Sequence, residues 1–321
     1  TKIDYCRQNH VPLALRTNYD KSIRFYTTQP FGILQLAEEQ NYTIAASSLP
    51  HECSFAMTKA IEKTWYDYPQ YYDMVFRDET AEEANFIEAA CRKYADRSCR
   101  RLFEPACGSG RLVAEMAKRG YDVTGLDLNE KSLAYLRRRL KRRGLHAHLV
   151  RDDMTRFMLQ EKADAAYSMV NSFRYLLTEE DARSHLKCIA RSLQPGGLYL
   201  IAMHLLPLDA DEECTERWTA RHGATRVTAT LRVVETDRPN RRETLQINLL
   251  VRRHGEEFMR LRHRFQFRMY TADQFRELLA SVPEFELCDV FDFWYELDYP
   301  MELNDELGDA AFVLRKKDPR V

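Results

Sequence analysis

The stretch Arg101-Leu-Phe-Glu-Pro-Ala-Cys-Gly-Ser-Gly-Arg-Leu112 decides the reading of this chain. It begins apolar, breaks at Cys107, Gly108 and Ser109, and passes Gly110 into a helical pattern of Leu112, Val113, Met116 and Ala117. That order predicts a strand, a glycine turn and a helix N-terminus. Backbone without Cβ, at the positive end of a helix, lets a ligand approach closely. The stretch departs from the dinucleotide fingerprint G-x-G-x-x-G, whose third glycine position holds Val113 here. It also places an anion, Glu104, at the strand end, which suits a positively charged ligand better than a pyrophosphate.

Downstream, strands at 121–126, 146–150, 163–169 and 198–203 alternate with helical patterns, including 131–143 and 178–193. Such alternation predicts an α/β fold with a parallel, doubly wound sheet and ligands at the carboxyl ends of the strands. Asp127 ends the second strand, 17 residues past Gly110. A carboxylate there can accept both hydroxyls of a ribose, and Asn129 is available to cap the next helix. Asp153 and Met154, after the third strand, offer an acceptor for an exocyclic amine and a thioether for a purine face. Taken alone, Asp153 reads as a turn residue.

The pattern changes after Pro207. Period-two runs at 225–235, 244–252 and 258–270, with turns at 237–240 and 254–255, predict an antiparallel meander. A helix at 271–281 and strands at 285–291 and 310–314 then complete the main sheet. The chain divides into a mainly helical N-terminal extension (1–64), a core (65–207), a β insert on the substrate side (208–270) and a segment that completes the core sheet (271–321). The extension shows helical patterns near 32–40 and 55–63. It reads as a cap or an oligomer contact, which admits a homodimer.

Composition narrows the partners. The 321 residues carry 48 Lys+Arg against 49 Asp+Glu, a formal net charge of -1. Nothing at that level points to nucleic acid or an anionic membrane. No apolar run approaches the roughly 18 residues of a membrane helix, and the opening residues contain no signal-peptide core. The eight cysteines are scattered, without Cys-x-x-Cys or zinc spacing, as expected of reduced thiols in a cytoplasmic protein with no metal. The run at 137–143, rich in arginine, has Leu133, Leu136 and Leu140 on one helical face, so its charges read as a solvated side near a helix C-terminus.

Glu104-Pro-Ala-Cys-Gly-Ser-Gly110, Val123-Thr-Gly-Leu-Asp127, Arg151-Asp-Asp-Met154, Asn171-Ser-Phe-Arg-Tyr175 and Leu193-Gln-Pro-Gly-Gly-Leu-Tyr199 occur in one order. Together they resemble a class I S-adenosylmethionine-dependent methyltransferase of the small-molecule type, across about residues 66–206. The resemblance implies a seven-stranded Rossmann-like sheet and S-adenosylmethionine as cofactor, with S-adenosylhomocysteine as product. It implies that Glu104 and neighbouring Ala106 meet the methionine amino group, and that Gly108 and Gly110 line the methionyl and ribose part. Asp127 would hold the ribose, Asp153 and Met154 the adenine, and Leu128 would also line the cofactor. Asn171 would flank the sulfonium, and Tyr72, in the Tyr72-Asp73 pair, would cover the methionine moiety.

An amine or hydroxyl acceptor must lose a proton, so a nearby base is expected. His204 and Tyr175 are the catalytic candidates. Trp65, Tyr66 and Tyr68 form an aromatic stretch suited to cover a methyl-bearing cation, although a packed aromatic linker fits the same residues. Arg174 reads either as an anchor for a substrate anion or as a salt-bridge partner of the acidic turn that follows it. The alternatives are a nucleic-acid methyltransferase, a non-catalytic protein retaining the cofactor fold, and a dehydrogenase. The first expects Asn/Asp-Pro-Pro-Tyr/Phe after the fourth strand, where this chain has Asn171-Ser-Phe-Arg.

Overall fold

The computed structural model describes residues 61–207 and 214–318. The helical pattern at 32–40 lies outside the described residues. That at 55–63 does so for the most part, but its end, Ile61–Glu62, is a short strand, β1, rather than helix.

The main sheet is built from β2 (Arg101–Pro105), β3 (Asp122–Leu126), β4 (His148–Val150), β5 (Ala163–Ser168), β6 (Leu193–His204), β11 (Phe285–Phe291) and β12 (Asp309–Lys316). Its order is β11-β12-β6-β5-β2-β3-β4, seven strands in all. The first five in sequence run parallel, and β12 is antiparallel to both neighbours. Order reverses between β2 and β5, the crevice where an open α/β sheet binds its ligand. Helices α2 (Thr80–Tyr94), α3 (Arg111–Lys118), α4 (Glu130–Arg143), α5 (Glu179–Ser192) and α6 (Ala272–Ala280) cover the sheet.

Strand composition follows from burial on both faces. β5 is buried along its whole length, and β6 is buried over 196–203 without interruption. Alternate residues enter different cores: Phe103, Ala166, Tyr199 and Ile201 one, Leu102, Ala165, Leu198 and Leu200 the other.

The second sheet contains β7 (Thr215–His222), β8 (Thr225–Asp237), β9 (Arg242–Arg253) and β10 (Glu256–Arg268), a consecutive antiparallel meander with β1 added parallel to β10. The meander therefore has four strands where the sequence predicts three. β7 escapes the pattern because Thr215-Glu-Arg-Trp-Thr-Ala-Arg-His222 has one large apolar anchor, Trp218, among charges. The inner face of this sheet packs on the aromatic segment. Trp65, Tyr71 and Phe76, the last two from α1 (Pro69–Phe76), join Val227, Ala229, Ile247, Leu249, Val251, Met259 and Leu261 in one cluster. The stretch 65–76 thus seals the inner face of the second sheet, while its polar pair Asp73–Arg139 reaches α4 of the main fold.

The basic run on α4 needs one correction. Arg139 is buried rather than solvated, and pairs at 2.6 Å with buried Asp73 of α1.

Gly110 precedes α3 in the left-handed region, at φ +66, and a Cβ there would lie 2.3 Å from the Leu136 side chain of α4. Gly108 has a similar φ of +53 but open space beside it. Gly110→Ala should therefore lower unfolding free energy by about 3 kcal/mol, combining backbone strain and overpacking. Gly108→Ala should cost about 1–2 kcal/mol, the backbone strain alone. Urea midpoints of the two variants measure the difference; equal midpoints would show that α3 and α4 do not depend on the close approach.

Candidate active site

The turn after β2 is compressed by three left-handed residues in five: Ala106 at φ 54, Gly108 and Gly110. A left-handed alanine is held there only because its surroundings over-determine it. Asp127 is part of that hold. The Gly108 N–H donates to its Oδ2 and the Asn129 N–H to its Oδ1, both at 2.7 Å. Asn129 meanwhile caps α4, accepting from the N–H groups of Lys131 and Ser132. Burial pushes the Asp127 carboxyl up, and the two N–H groups pull it back. Each of its oxygens retains acceptor capacity for a hydroxyl.

Glu104 is buried at the end of β2, and its Oε2 has no hydrogen-bond partner among the described residues. Burial pushes its carboxyl up to about 8; the Arg111 guanidinium opposes the shift and Glu83 adds to it. Arg111 is itself held 2.6 Å from Glu83 in a buried pair joining α3 to α2.

At the end of β4 the structure separates two neighbouring carboxylates. Asp152 and Met154 line the cavity, whereas Asp153 is not part of the wall. Asp153 Oδ1 accepts from the N–H and hydroxyl of Thr155, closing the local turn. The Met154 carbonyl lies 2.8 Å from His185 Nδ1, and His185 Nε2 is 2.7 Å from the Tyr199 hydroxyl. Burial pushes His185 down to about 4, so the buried ring stays neutral near pH 7.

After β5, Val170 and Asn171 are both left-handed, at φ 56 and 65. For a β-branched residue such as Val170 this is a strained conformation. It turns Asn171 back onto β6, where its Oδ1 accepts from the His204 N–H at 2.8 Å. His204 ends β6, and its Nδ1 lies 2.6 Å from Oδ1 of Asp309 at the start of β12. The antiparallel register pairs these two residues directly. An ionised Asp309 fixes the proton on Nδ1 and leaves the Nε2 lone pair available.

The roof comes from the aromatic segment and the meander. Tyr66 and Tyr175 join hydroxyl to hydroxyl, and burial pushes both phenols up. Tyr72 packs 4.9 Å from Trp65. Asp67, in the turn before α1, accepts from Asn129 Nδ2 at 3.1 Å and Lys131 Nζ at 2.6 Å.

A cavity of about 400 Å³ gathers most of these groups. Its floor includes Glu104, Ala106, Gly108, Asp127, Leu128, Asp152, Met154, Asn171 and His204, and its roof Trp65, Tyr66, Tyr72, Tyr175 and Trp218. Three sequence candidates besides Asp153 need correction or relocation. Gly110 faces Leu136 rather than the cavity. Tyr68 stacks on Tyr71 outside the lining. Arg174 is buried against Glu243 at 2.6 Å and the Arg268 carbonyl, so it tethers the β5 loop to the meander and does not enter the wall. Its pairing with the following acidic turn is also absent: Glu179 is held instead by Arg268 and Arg241.

The residues fit S-adenosylmethionine. Unpartnered Glu104 Oε2 is a counter-charge for an ammonium, Gly108 leaves room where a Cβ would stand, and Asp127 can accept from a diol.

The fold is that of the class I S-adenosylmethionine-dependent methyltransferases. Residues 103–197 match the family described as "Methyltransferase domain". The chain is 30% identical over 139 residues to the dTDP-3-amino-3,4,6-trideoxy-alpha-D-glucopyranose N,N-dimethyltransferase of Streptomyces venezuelae, covering 42% of this chain and 56% of that one. The chain spans about half the length of the curated relatives it matches. Among solved structures, Streptomyces venezuelae DesVI superposes with a TM-score of 0.64 at 20% identity, covering 80% of this chain and 100% of that chain. The S-adenosylmethionine-bound amino pentose methyltransferase CalS10 of Micromonospora echinaspora gives 0.60 at 21% identity, covering 81% and 99%.

Two outcomes follow from this geometry. Asp127→Ala should weaken S-adenosylmethionine binding by about 1–3 kcal/mol, the cost of leaving buried hydroxyls unpaired. Unchanged affinity by calorimetry would restrict Asp127 to holding the turn.

Glu104, with its carboxyl near 8, should be protonated in the free protein at pH 7 and ionise beside a cationic ligand. Binding should then release a proton below pH 8, detectable as different calorimetric heats in buffers of unequal ionisation enthalpy. Glu104→Gln should remove the release, and equal heats in the parent protein would contradict it. The stability sign follows: its folded value lies above the ordinary 4.5, so its contribution is present below 4.5 and lost as pH rises towards 8. Above pH 8, Glu104→Gln should therefore melt higher than the parent protein.

Proposed function

We propose that this chain moves a methyl group from S-adenosylmethionine to an amine of a small molecule. The observation that carries the reading is His204, braced by Asp309, in one cavity with Glu104, Gly108 and Asp127. Glu104 holds the ligand's ammonium, Asp127 its ribose hydroxyls, and Asp152 with Met154 its base. Asn171 fixes the backbone of His204 at the far side of the same floor. Bound there, S-adenosylmethionine supplies an electrophilic methyl group and a neutral thioether leaving group.

The protein's share is orientation, water exclusion and one proton. His204 Nε2 takes the proton from the acceptor nitrogen, and Asp309 stabilises the imidazolium that results. Burial pushes the joined hydroxyls of Tyr66 and Tyr175 upward, so both stay protonated and neither is in the phenolate form a base requires. They serve instead to close the roof over the floor. The amine, rather than a hydroxyl, is supported by the Streptomyces venezuelae relative, whose name gives an N,N-dimethyltransferase.

The core at 65–207 with 271–321 holds the cofactor, and the insert at 208–270 covers the acceptor side. A cavity of about 400 Å³ roofed by a sheet favours a small molecule over nucleic acid. No helix of the described residues is long and apolar enough to cross a membrane. Among the described residues, Cys91, Cys99, Cys107, Cys188 and Cys288 are free thiols, compatible with a reducing compartment.

Release of S-adenosylhomocysteine in the presence of amines tests the assignment. His204→Ala should lower kcat about 100-fold or more with cofactor affinity kept, and Asp309→Asn should lower it less. Full turnover by His204→Ala would remove the histidine from the chemistry.

A further inference from the structure

The turn after β4 offers two adjacent carboxylates, of which Asp152 lines the cavity with Met154 while Asp153 turns to Thr155. Helix α5 grips the backbone of that turn from outside. Ser184 Oγ donates to the Thr155 carbonyl at 2.7 Å, and Cys188 Sγ, one helical turn along, donates to the same carbonyl at 3.4 Å. Next to Ser184, His185 has its Nδ1 2.8 Å from the Met154 carbonyl and its Nε2 2.7 Å from the Tyr199 hydroxyl of β6. The ring is buried, with Phe173 packed edge-on at 5.6 Å.

This arrangement fixes the tautomer. Burial pushes the imidazole down to about 4, so near pH 7 the neutral ring has one N–H to give. The Met154 carbonyl can only accept, so Nδ1 carries the proton and Nε2 accepts from the Tyr199 hydroxyl. A directed chain therefore runs from β6 through His185 to the backbone of the turn. With the carbonyls of 154 and 155 both held, the turn cannot rotate to exchange Asp152 for Asp153 without losing these hydrogen bonds. His185 itself is not part of the cavity wall, so it acts through Met154.

We propose that His185 is the positioning residue for base recognition, holding the turn so that Asp152 and Met154 face the adenine of S-adenosylmethionine. Asp152 then accepts from the exocyclic amine, and would repel a carbonyl oxygen in the same place. This deepens the transferase reading and rests on its placement of the adenine.

Binding tests the proposal without turnover. The full chain is titrated by calorimetry with S-adenosylhomocysteine and with S-inosylhomocysteine, in which a carbonyl replaces the exocyclic amine. The parent should bind S-adenosylhomocysteine at least about tenfold tighter, the scale of one charge-assisted hydrogen bond. His185→Leu should bring the two ligands within about threefold of each other, and His185→Asn, which keeps an N–H for the Met154 carbonyl, should restore the preference. Asp152→Asn should abolish the preference and Asp153→Asn should keep it. Nitrogen NMR of the parent near pH 7 should show His185 as the Nδ1–H tautomer. A parent that does not distinguish the ligands would overturn the proposal, as would equal weakening of both by His185→Leu, the Nε2–H tautomer, or loss of the preference in Asp153→Asn but not Asp152→Asn. The transferase reading fails separately: the base preference would hold while no amine yields S-adenosylhomocysteine.

Discussion

Two backbone N–H groups, those of Gly108 and Asn129, converge on the carboxylate of Asp127, and the floor of the cavity depends on that convergence. Gly108 belongs to the turn after β2 and Asn129 to the start of α4. One side chain therefore sets the separation of two adjacent strand ends. The turn itself is strained, with Ala106 left-handed beside two left-handed glycines. The same device recurs across the crevice, where left-handed Val170 and Asn171 deliver an acceptor to the N–H of His204. Strained backbone gathered at the facing ends of β2 and β5 is the pattern expected where a site is organised before its ligand arrives.

Buried ion pairs surround this floor, and each joins elements distant in sequence. Glu83–Arg111 ties α2 to α3, Asp73–Arg139 ties α1 to α4, and Arg174–Glu243 ties the β5 loop to β9. Such pairs contribute little net stability over apolar substitutes, since desolvation offsets attraction. Their effect is geometric: losing one partner leaves a buried charge, so the elements cannot drift apart cheaply. The aromatic segment is seated in this way between two sheets, with Asp67 and Asp73 as its polar anchors on α4.

Local pattern carried much of the fold into view. The alternation of strands and helices from 101 to 206 reads directly as a parallel sheet, because strands buried on both faces are nearly continuous in apolar residues. The contacts hidden from the sequence were those made across long separations. His204 stands out as a polar end to an apolar strand, but Asp309 lies 105 residues later and becomes its neighbour only through the register of β12 on β6. Asp152 and Asp153 are indistinguishable as letters. The choice between them is made by Thr155, whose N–H and hydroxyl take up Asp153. Arg139 looks like a surface cation, and Arg174 like a substrate anchor or a partner of the next turn, until Asp73 and Glu243 are placed beside them. β7 is not legible in the sequence because its inward side contains Glu216, which breaks the apolar alternation.

The proposed reaction brings a methyl donor and an amine together over His204 in this cavity. Mixing the full chain with methyl-labelled S-adenosylmethionine and a panel of primary and secondary amines, followed by mass spectrometry, tests it most directly. A labelled, methylated amine and S-adenosylhomocysteine should appear in equal amounts. Tight cofactor binding with no label transferred to any amine would contradict it.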